Sequence, residues 1–318
     1  MPVISRVFGH RHLRASDLIR PAAAQVFFEP PDTELGVWVA QDLMTPGCSV
    51  LDLGSGSGAA AAAIARAGAA RVHGIDDCAE TVAWASQHYA SRDDDPRVTF
   101  ARGNFAAMSS EELLATVPGT LPRPLVVTSN PPYVPLTARA AELRPSISGG
   151  TDGLRWASAI IGHARSLQTD LGFTIGSYSS PREAVRLLES AGYRVHAVTL
   201  CPLPLGAFTQ DNMEQVLALE EQGEAVLWRT APKEFARDGL AYFIVGLACH
   251  WTGGANDRSA DGRPKENGLT GEGLLHLLRT AARSHVPRLE ALDERLPNGW
   301  AGPLRVLDLP VPNERHHW

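Results

Sequence analysis

The chain contains the sequence Val50-Leu51-Asp52-Leu53-Gly54-Ser55-Gly56-Ser57-Gly58, followed at once by an alanine-rich run over residues 59–67. The apolar residues that end at Leu53 are typical of a buried parallel strand. The glycines allow a tight turn and let the backbone approach a ligand, and the alanines favour a helix. Strand, turn and helix in this order predict a ligand-binding crevice at the carboxyl end of a strand, although such a turn can also serve only helix–strand packing.

Acidic residues stand on both sides of this turn. Asp52 precedes the first glycine, and Asp76, with Asp77 beside it, follows a second predicted strand at 71–75. An acid about twenty residues after the turn is expected to bind a ribose hydroxyl. Asp52 offers a carboxylate to an ammonium group, and the Gly-x-Gly-x-Gly spacing differs from that of dinucleotide-binding proteins. The pattern favours a cofactor that carries an amino acid, with these candidate binding residues: Asp52, Gly54, Ser55, Gly56, Gly58, Asp76 and Asp77.

Strand and helix patterns alternate along the chain, which predicts an α/β fold with a doubly wound, largely parallel sheet. The last two predicted strands, 194–200 and 240–248, are expected to form an antiparallel pair, and the insertion between them, 201–239, is long enough to be a lid. Asp32 or Thr33 is expected to cap an earlier helix that runs to about Met44. We expect three regions: residues 1–45 as an N-terminal segment and helix, 46–250 as the binding domain, and 251–318 as a linker and C-terminal extension.

Composition narrows the function classes. The net charge is −6 and the chain has no lysine- or arginine-rich block, so the basic footprint of a nucleic-acid binder is absent. The 4 cysteines are scattered, without the spacing of a metal site or a disulfide framework. No apolar run is long enough to span a membrane, and the N-terminus lacks the apolar segment of a signal peptide. We therefore expect a cytoplasmic protein with no metal and with neither a membrane nor a nucleic acid as partner.

A second motif, Asn130-Pro131-Pro132-Tyr133, follows a predicted strand at 125–129. Two prolines in succession end a strand and hold the backbone extended. That arrangement leaves the Asn130 amide oxygen and the Pro131 carbonyl as acceptors, with the ring of Tyr133 beside them. Two acceptors and a flat ring suit a planar nitrogen, which they would align for an in-line displacement. A proline-rich loop with a packing tyrosine is the alternative to this catalytic role for Asn130, Pro131 and Tyr133.

Both motifs resemble those of class I S-adenosylmethionine (SAM) methyltransferases, and Asn-Pro-Pro-Tyr is similar to the signature of those that act on planar nitrogens. The segments 28–34 and 148–154 also resemble parts of the release-factor glutamine methyltransferases. The resemblance implies a seven-stranded, mostly parallel, Rossmann-like sheet and SAM as cofactor. By the same resemblance the site residues have these roles: Asp76 at the ribose, Asn104 and Phe105 beside the adenine, and Asn130 to Tyr133 at the acceptor, with Asn130 also beside the cofactor.

The chain departs from that family in features that bear on the substrate. The family carries a helical domain before its first motif, which helps to engage release factor, and it lacks an extension like residues 252–318. We therefore expect a small, enclosed substrate, which is a small molecule, an amino acid or a glutamine side chain that is methylated on nitrogen. The insertion 201–239 could instead pack on the sheet or form a dimer contact, so a homodimer is a candidate assembly.

Three alternatives remain open for the function. One is glutamine methylation of a translation release factor despite the missing docking domain. A second is cyclisation of SAM itself, in which its amine attacks its own side chain to form azetidine-2-carboxylate and release methylthioadenosine. A third is a SAM-binding partner subunit without catalysis, which the intact acceptor loop disfavours.

Overall fold

The computed structural model describes residues 3–21, 26–90, 97–229, 236, 239–253, 268–283 and 299–311. The described strands are β1 (Val3–Phe8), β2 (Ser49–Leu53), β3 (Arg71–Asp76), β4 (Val98–Arg102), β5 (Leu125–Ser129), β6 (Asp170–Gly176), β7 (Tyr193–Pro204), β8 (Ala241–Trp251) and β9 (Pro303–Asp308). The described α-helices are α1 (Pro30–Leu43), α2 (Ala59–Arg66), α3 (Ala79–Tyr89), α4 (Ser110–Ala115), α5 (Ala138–Leu143), α6 (Ala157–Ser166), α7 (Pro181–Ser190), α8 (Ala207–Asp211), α9 (Glu214–Glu221) and α10 (Gly271–Ala282).

The strands form one mixed sheet in the order β1-β9-β7-β8-β6-β5-β2-β3-β4. β4, β3, β2, β5 and β6 run parallel to one another, and β8 is antiparallel to both β6 and β7. Alternate residues of β2 belong to two hydrophobic clusters, with Val50 in one and Leu51 and Leu53 in the other. Because neighbouring strand residues point to opposite faces, both faces of the sheet are covered. The predicted α/β fold with a doubly wound, mostly parallel sheet is confirmed.

The prediction of seven strands is wrong, because two further strands extend one edge of the sheet. β9 pairs in parallel with β7, and β1 pairs in parallel with β9. β9 buries Leu304 and Val306 in the core and covers the edge of β7, which would otherwise expose unpaired backbone groups. β1 and β9 are short and contain an arginine each, so their apolar pattern is weak in the sequence. Both outer regions thus contribute to the sheet, while the region boundaries stay predictions.

The parallel register brings the ends of three strands together. Leu53, the last residue of β2, pairs with Ile75 in β3 and with Ser129 in β5. The glycine turn, Asp76 and Asn130 lie at the ends of these three strands, so they meet at one edge of the sheet. This edge is where open α/β sheets bind their ligands.

Helix α1 begins at Pro30, so Asp32 and Thr33 lie inside it, which corrects the prediction that one of them caps it. The reason is that proline has the backbone angle of a first helical turn already in place. α1 crosses β6, β7 and β8 at close range. A Cβ atom at Gly246 would lie 2.3 Å from Val39, so only glycine permits this approach. The packing holds the buried Asp32 beside the ligand edge of the sheet.

The described part of the insertion 201–239 contains α8 and α9 and then returns to the sheet. Trp228 is buried, stacks on Phe243 with 5.9 Å between ring centroids, and pairs through its backbone with Ala241. The ring of Trp228 therefore belongs to the core and does not line the pocket beside α1. A lid role for the rest of the insertion stays a prediction. In the described ranges, no helix combines the length and the apolar character needed to cross a bilayer.

Candidate active site

The glycine turn after β2 depends on backbone angles that other residues rarely adopt. Gly54, Gly56 and Gly58 have φ of +75°, +53° and +81°. A Cβ atom at Gly58 would also lie 2.7 Å from the ring of Phe100. The Gly54 and Ser55 amides donate to the Ile75 carbonyl at 2.8 Å and 3.0 Å, which ties the turn to β3. The turn thus directs its backbone toward the space above β2 before α2 begins.

Asp76 ends β3 as predicted, and its carboxylate braces the glycine turn. One oxygen accepts from the Gly56 amide and the other from the Cys78 amide, each at 3.0 Å. Burial raises the pKa of Asp76, the two backbone donors lower it, and neighbouring Asp77 raises it again. Asp77 itself is exposed. The carboxylate of Asp76 therefore lies at the position expected for a ribose-binding acid. Each of its oxygens already accepts one hydrogen bond from the backbone.

Asn104 and Phe105 follow β4, in the loop predicted to flank an adenine. The Asn104 side chain accepts from the backbone of its own loop, and the Phe105 ring meets Trp156 edge-on at 5.8 Å. His163, which sequence reasoning missed, holds this loop to α6. Its Nε2 atom lies 2.6 Å from the Phe105 carbonyl, and since a carbonyl only accepts, Nε2 carries the proton. No local sequence signal marks this histidine, because its partner is far along the chain.

A pocket lies between α1, the glycine turn and the end of β5. Its described lining has two buried carboxylates and no lysine, arginine or histidine. The lining residues are Phe27, Asp32, Thr33, Gly36, Val39, Asp52, Gly54, Ser55, Gly56, Ser57, Ala60, Ile64, Thr128, Ser129, Asn130, Gly172 and Thr174. Of the predicted site residues the pocket brings together Asp52, Gly54, Ser55, Gly56 and Asn130, whereas the others lie outside its walls. Its charge suits a cationic ligand.

Asp52 is buried in the floor of this pocket. The Thr128 hydroxyl donates to it at 2.8 Å. Burial raises the pKa of Asp52 to about 6, the bond from Thr128 lowers it, and the charge of Asp76 raises it. At neutral pH the carboxylate is therefore largely ionised and faces a cavity in which a positive group would stabilise it.

Asn130 lines the pocket, and its side-chain amide is held at the nitrogen end. Its Nδ2 atom donates to the Asp32 carboxylate at 3.2 Å. Its Oδ1 atom is buried and has no hydrogen-bond partner within the described part of the chain. A buried acceptor in this state is unfavourable by about 1–3 kcal/mol unless a ligand satisfies it. The amide is thus oriented to accept a hydrogen bond from a ligand.

Tyr133 departs from its predicted role. Its side chain is 3% exposed and packs beside Tyr178, with 6.2 Å between ring centroids. Its hydroxyl donates to the Asp32 carboxylate at 2.8 Å. Burial raises the pKa of Tyr133 well above its usual value, and the charge of Asp32 adds to the rise, so the hydroxyl stays a donor. The expectation that this ring offers a flat face to a substrate is wrong in this structure, because the hydroxyl draws the ring inward.

The segment 147–153 holds the backbone of the Asn130–Tyr133 loop. The Val134 amide donates to the Ile147 carbonyl at 3.0 Å, and the Gly149 amide donates to the Val134 carbonyl at 2.9 Å. A Cβ atom at Gly149 would lie 2.8 Å from the carbonyl carbon of Tyr133. The glycines of this segment therefore let two backbones touch, which fixes the loop next to the pocket.

Comparisons with known proteins give one family match and several similar solved structures. Residues 50–116 match a family model described as a methyltransferase domain. No curated protein sequence matches the chain. Three similar solved structures are a protein from Pyrococcus horikoshii provisionally described as an RNA methyltransferase (12% identity, TM-score 0.43, 75% of this chain and 92% of that chain), ribosomal protein L11 methylase from Lactobacillus delbrueckii subsp. bulgaricus (14%, 0.38, 78% and 94%), and magnesium protoporphyrin IX methyltransferase from Synechocystis PCC 6803 with bound SAM (14%, 0.36, 69% and 78%).

The residues of the site fit SAM. The glycine turn leaves room for a ligand against the backbone, and Asp52 faces the pocket as a carboxylate does toward an ammonium or sulfonium group. The unsatisfied oxygen of Asn130 lies in the same pocket. Residues 50–116 therefore match a methyltransferase domain, and the pocket that they help to form fits SAM as cofactor.

Proposed function

We propose that this protein transfers a methyl group from SAM to a nitrogen of a small molecule, an amino acid or a glutamine side chain. The observation that carries the proposal is the amide oxygen of Asn130. It is buried in the wall of the pocket, without a partner among the described residues and close to the glycine turn. An N–H group of an acceptor would satisfy this oxygen and would be held by it.

When bound, SAM supplies a methyl group on a positively charged sulfur, and transfer forms a nitrogen–carbon bond, breaks the sulfur–carbon bond and leaves S-adenosylhomocysteine and a proton. The Asn130 oxygen and the Pro131 carbonyl accept hydrogen bonds from the N–H groups of the substrate. These bonds turn the nitrogen lone pair toward the methyl group. Alignment of this kind supplies much of the rate of an in-line displacement. Asp52 and Asp32 favour the positive sulfonium, because both carboxylates line the pocket.

Sequence resemblance supports the nitrogen acceptor. Asn-Pro-Pro-Tyr is similar to the signature of methyltransferases that act on planar nitrogens. The loop that carries it is held by the segment 147–153, which overlaps the stretch 148–154 that resembles part of the release-factor glutamine methyltransferases. By the same resemblance the ribose and adenine would contact Asp76, Asp77, Asn104 and Phe105. Tyr133 would contribute by its hydrogen bond to Asp32, and its ring would not stack on the substrate.

Cyclisation of SAM is a second candidate, favoured by the presence of Asp52 and Asn130 in one pocket. In that reaction the amine of the methionine part bonds to its own γ-carbon and loses a proton. The bond from the γ-carbon to sulfur breaks, so azetidine-2-carboxylate and methylthioadenosine leave. Glutamine methylation of a release factor has support from the resemblance alone, and a homodimer and a cytoplasmic compartment stay predictions.

The test is to incubate the purified protein with SAM alone and then with a panel of amines, amides and free amino acids. Products are identified by mass spectrometry. S-adenosylhomocysteine together with a methylated nitrogen supports the proposal. Methylthioadenosine and azetidine-2-carboxylate from SAM alone support cyclisation instead. Binding of SAM without either set of products contradicts both.

A matching prediction concerns the replacement of Asn130. Asn130→Ala should lower turnover by about 100-fold or more, because the nitrogen is no longer oriented, while the affinity for SAM changes far less. Steady-state rates and calorimetry measure the two effects. The control is Gln41→Ala, which removes an amide on α1 whose oxygen bonds His12 outside the pocket. Wild-type turnover in Asn130→Ala would remove this residue from the catalytic set.

A further inference from the structure

We propose that Asp32 is a positioning residue that fixes the amide of Asn130 with its oxygen toward the pocket. The proposal rests on the proposed function and narrows its substrate class. A site built in this way accepts nucleophiles that donate N–H bonds, such as amines and carboxamides. It disfavours nucleophiles that bear a negative charge, such as carboxylates and thiolates.

The contacts of Asp32 determine which end of the amide faces it. Its side chain is 0% exposed, and it accepts from Asn130 Nδ2 at 3.2 Å and from the Tyr133 hydroxyl at 2.8 Å. Each carboxylate oxygen of Asp32 accepts one of these bonds, and an ionised carboxylate has no proton to donate to the oxygen of an amide. A rotated Asn130 amide would set two acceptors against each other. Asp32 thus selects one of the two orientations of Asn130.

The placement of Asp32 is rigid, since the helix that carries it is held at several points. Glu34, two residues on, is fully buried and accepts from the backbone amides of Arg11, His12 and Leu13 at 3.0–3.3 Å. The close contact of Val39 with Gly246 holds the following turns. A carboxylate on such a support can define the geometry of its partner to a fraction of an ångström, which alignment of a nucleophile requires.

The electrostatics of the pocket act in the same direction. Asp32 and Asp52 both line it, and its described lining has no lysine, arginine or histidine. An anionic nucleophile would meet two carboxylates and the partially negative oxygen of Asn130. A neutral amine or amide avoids this repulsion and donates to that oxygen.

The role of Asp32 can be tested without the natural substrate that receives the methyl group. Sinefungin is an analogue of SAM in which an amine-bearing carbon replaces the methyl-bearing sulfur. Both carry a positive charge at that position, but only sinefungin has N–H donors there. We expect the wild-type protein to bind sinefungin about tenfold more tightly than SAM, because its amine bonds the Asn130 oxygen. Calorimetry measures both affinities.

Variants then assign the preference to Asp32. In Asp32→Asn and Asp32→Leu the affinities for sinefungin and SAM should become about equal, because Asn130 can rotate. Tyr133→Phe keeps the Asp32–Asn130 hydrogen bond, so this variant should still bind sinefungin more tightly than SAM. The control is Asp42→Asn, also on α1, whose carboxylate receives two bonds from Arg305 away from the pocket. Melting temperatures report which variants fold.

The outcomes separate the two proposals. If the wild-type protein binds neither compound, both the proposed function and the proposed role of Asp32 are wrong. A wild-type protein that binds both equally overturns the role of Asp32 without any variant. An unchanged preference in folded Asp32→Asn or Asp32→Leu also overturns that role and leaves methyl transfer in place.

Discussion

Asp52 shows how a single side chain can serve a ligand and oppose the stability of the ligand-free fold. Burial raises its pKa from 3.8 to about 6, although Thr128 donates to it. A raised pKa means that the folded protein holds this proton more tightly than the unfolded chain does. The folded state therefore loses stability as the pH rises from about 4 to about 6 and does not regain it at pH 7.

Asp52→Asn should raise the stability of the ligand-free protein at pH 7 and weaken SAM binding. The gain should be on the order of 1–3 kcal/mol, because the shift from 3.8 to about 6 corresponds to about 1.4 kcal/mol per pKa unit as an upper bound. Thermal denaturation at pH 5 and pH 7 measures it, and the gain should shrink at the lower pH. Calorimetry measures the affinity. A lower melting temperature at pH 7 would show that the carboxylate stabilises the empty fold.

Sequence reasoning located the motif residues of the site but not their partners. The glycine turn, Asp52 and Asn130 could be predicted because strand ends are marked by local patterns of apolar residues, glycine and proline. Asp32 could not, because 98 residues separate it from Asn130 and 101 from Tyr133. The same separation explains the error for Tyr133. An aromatic residue after two prolines looks accessible until a buried carboxylate is known to attract its hydroxyl.

At the scale of elements, the acceptor loop depends on the segment 147–153 that packs against it. Gly153 has φ of +82°, and a Cβ atom there would lie 2.7 Å from the Tyr133 carbonyl oxygen and 2.5 Å from Ser179. The Ser179 hydroxyl donates to the same carbonyl at 2.6 Å. The loop that presents Asn130 is therefore enclosed by backbone on two sides.

Gly153→Ala should displace this loop and lower both stability and turnover. Strain at positive φ costs about 1–2 kcal/mol, and the overlap with Tyr133 adds about 1–3 kcal/mol. The control is Gly150→Ala, since Gly150 has φ of +83° but its nearest neighbour would lie 3.3 Å from the new carbon. Chemical denaturation and turnover compare the two variants. Equal effects would show that backbone strain alone, and not the contact with the loop, is responsible.

The elements that the sequence predicted best are those whose residues form an uninterrupted apolar or alanine run. The predicted strand 125–129 coincides with β5, and the alanine run corresponds to α2, Ala59–Arg66. β1 and β9 were missed because they are short and an arginine interrupts the apolar residues of each. Their existence depends on contacts between distant parts of the chain, which a local pattern does not contain.

At the scale of the whole molecule, one arginine ties the added edge of the sheet to the helix that carries Asp32. Arg305 of β9 donates to both oxygens of Asp42 on α1 at 2.8 Å and 2.9 Å and to Thr199 at 3.1 Å. Its guanidinium also lies 4.3 Å from the centroid of the Trp38 ring. The bidentate geometry and the partial burial make this a stronger anchor than an exposed ion pair.

Arg305→Met should destabilise the protein by about 2–4 kcal/mol, because Asp42 would be left partly buried without its cation. The affinity for SAM should change little, since the pocket lies elsewhere along α1. The control is Arg6→Met, which removes a more exposed pair with Asp308 between β1 and β9 and should cost less than about 1 kcal/mol. Denaturant titration compares them. Equal losses would show that Arg305 does not anchor the edge.

The parallel pairing of β1 with β9 has a consequence for biosynthesis. Val3 lies opposite Pro303 and Phe8 opposite Asp308, so the first strand finds its neighbour only after some 300 further residues have left the ribosome. Contacts of such high sequence separation form late and slowly. Until then the nascent chain carries the unpaired segment Val3–Phe8, of which Ile4 and Phe8 stay exposed even in the finished fold. Slower translation should therefore lengthen the time for which this segment stays unpaired, because β1 can pair only after β9 has been made.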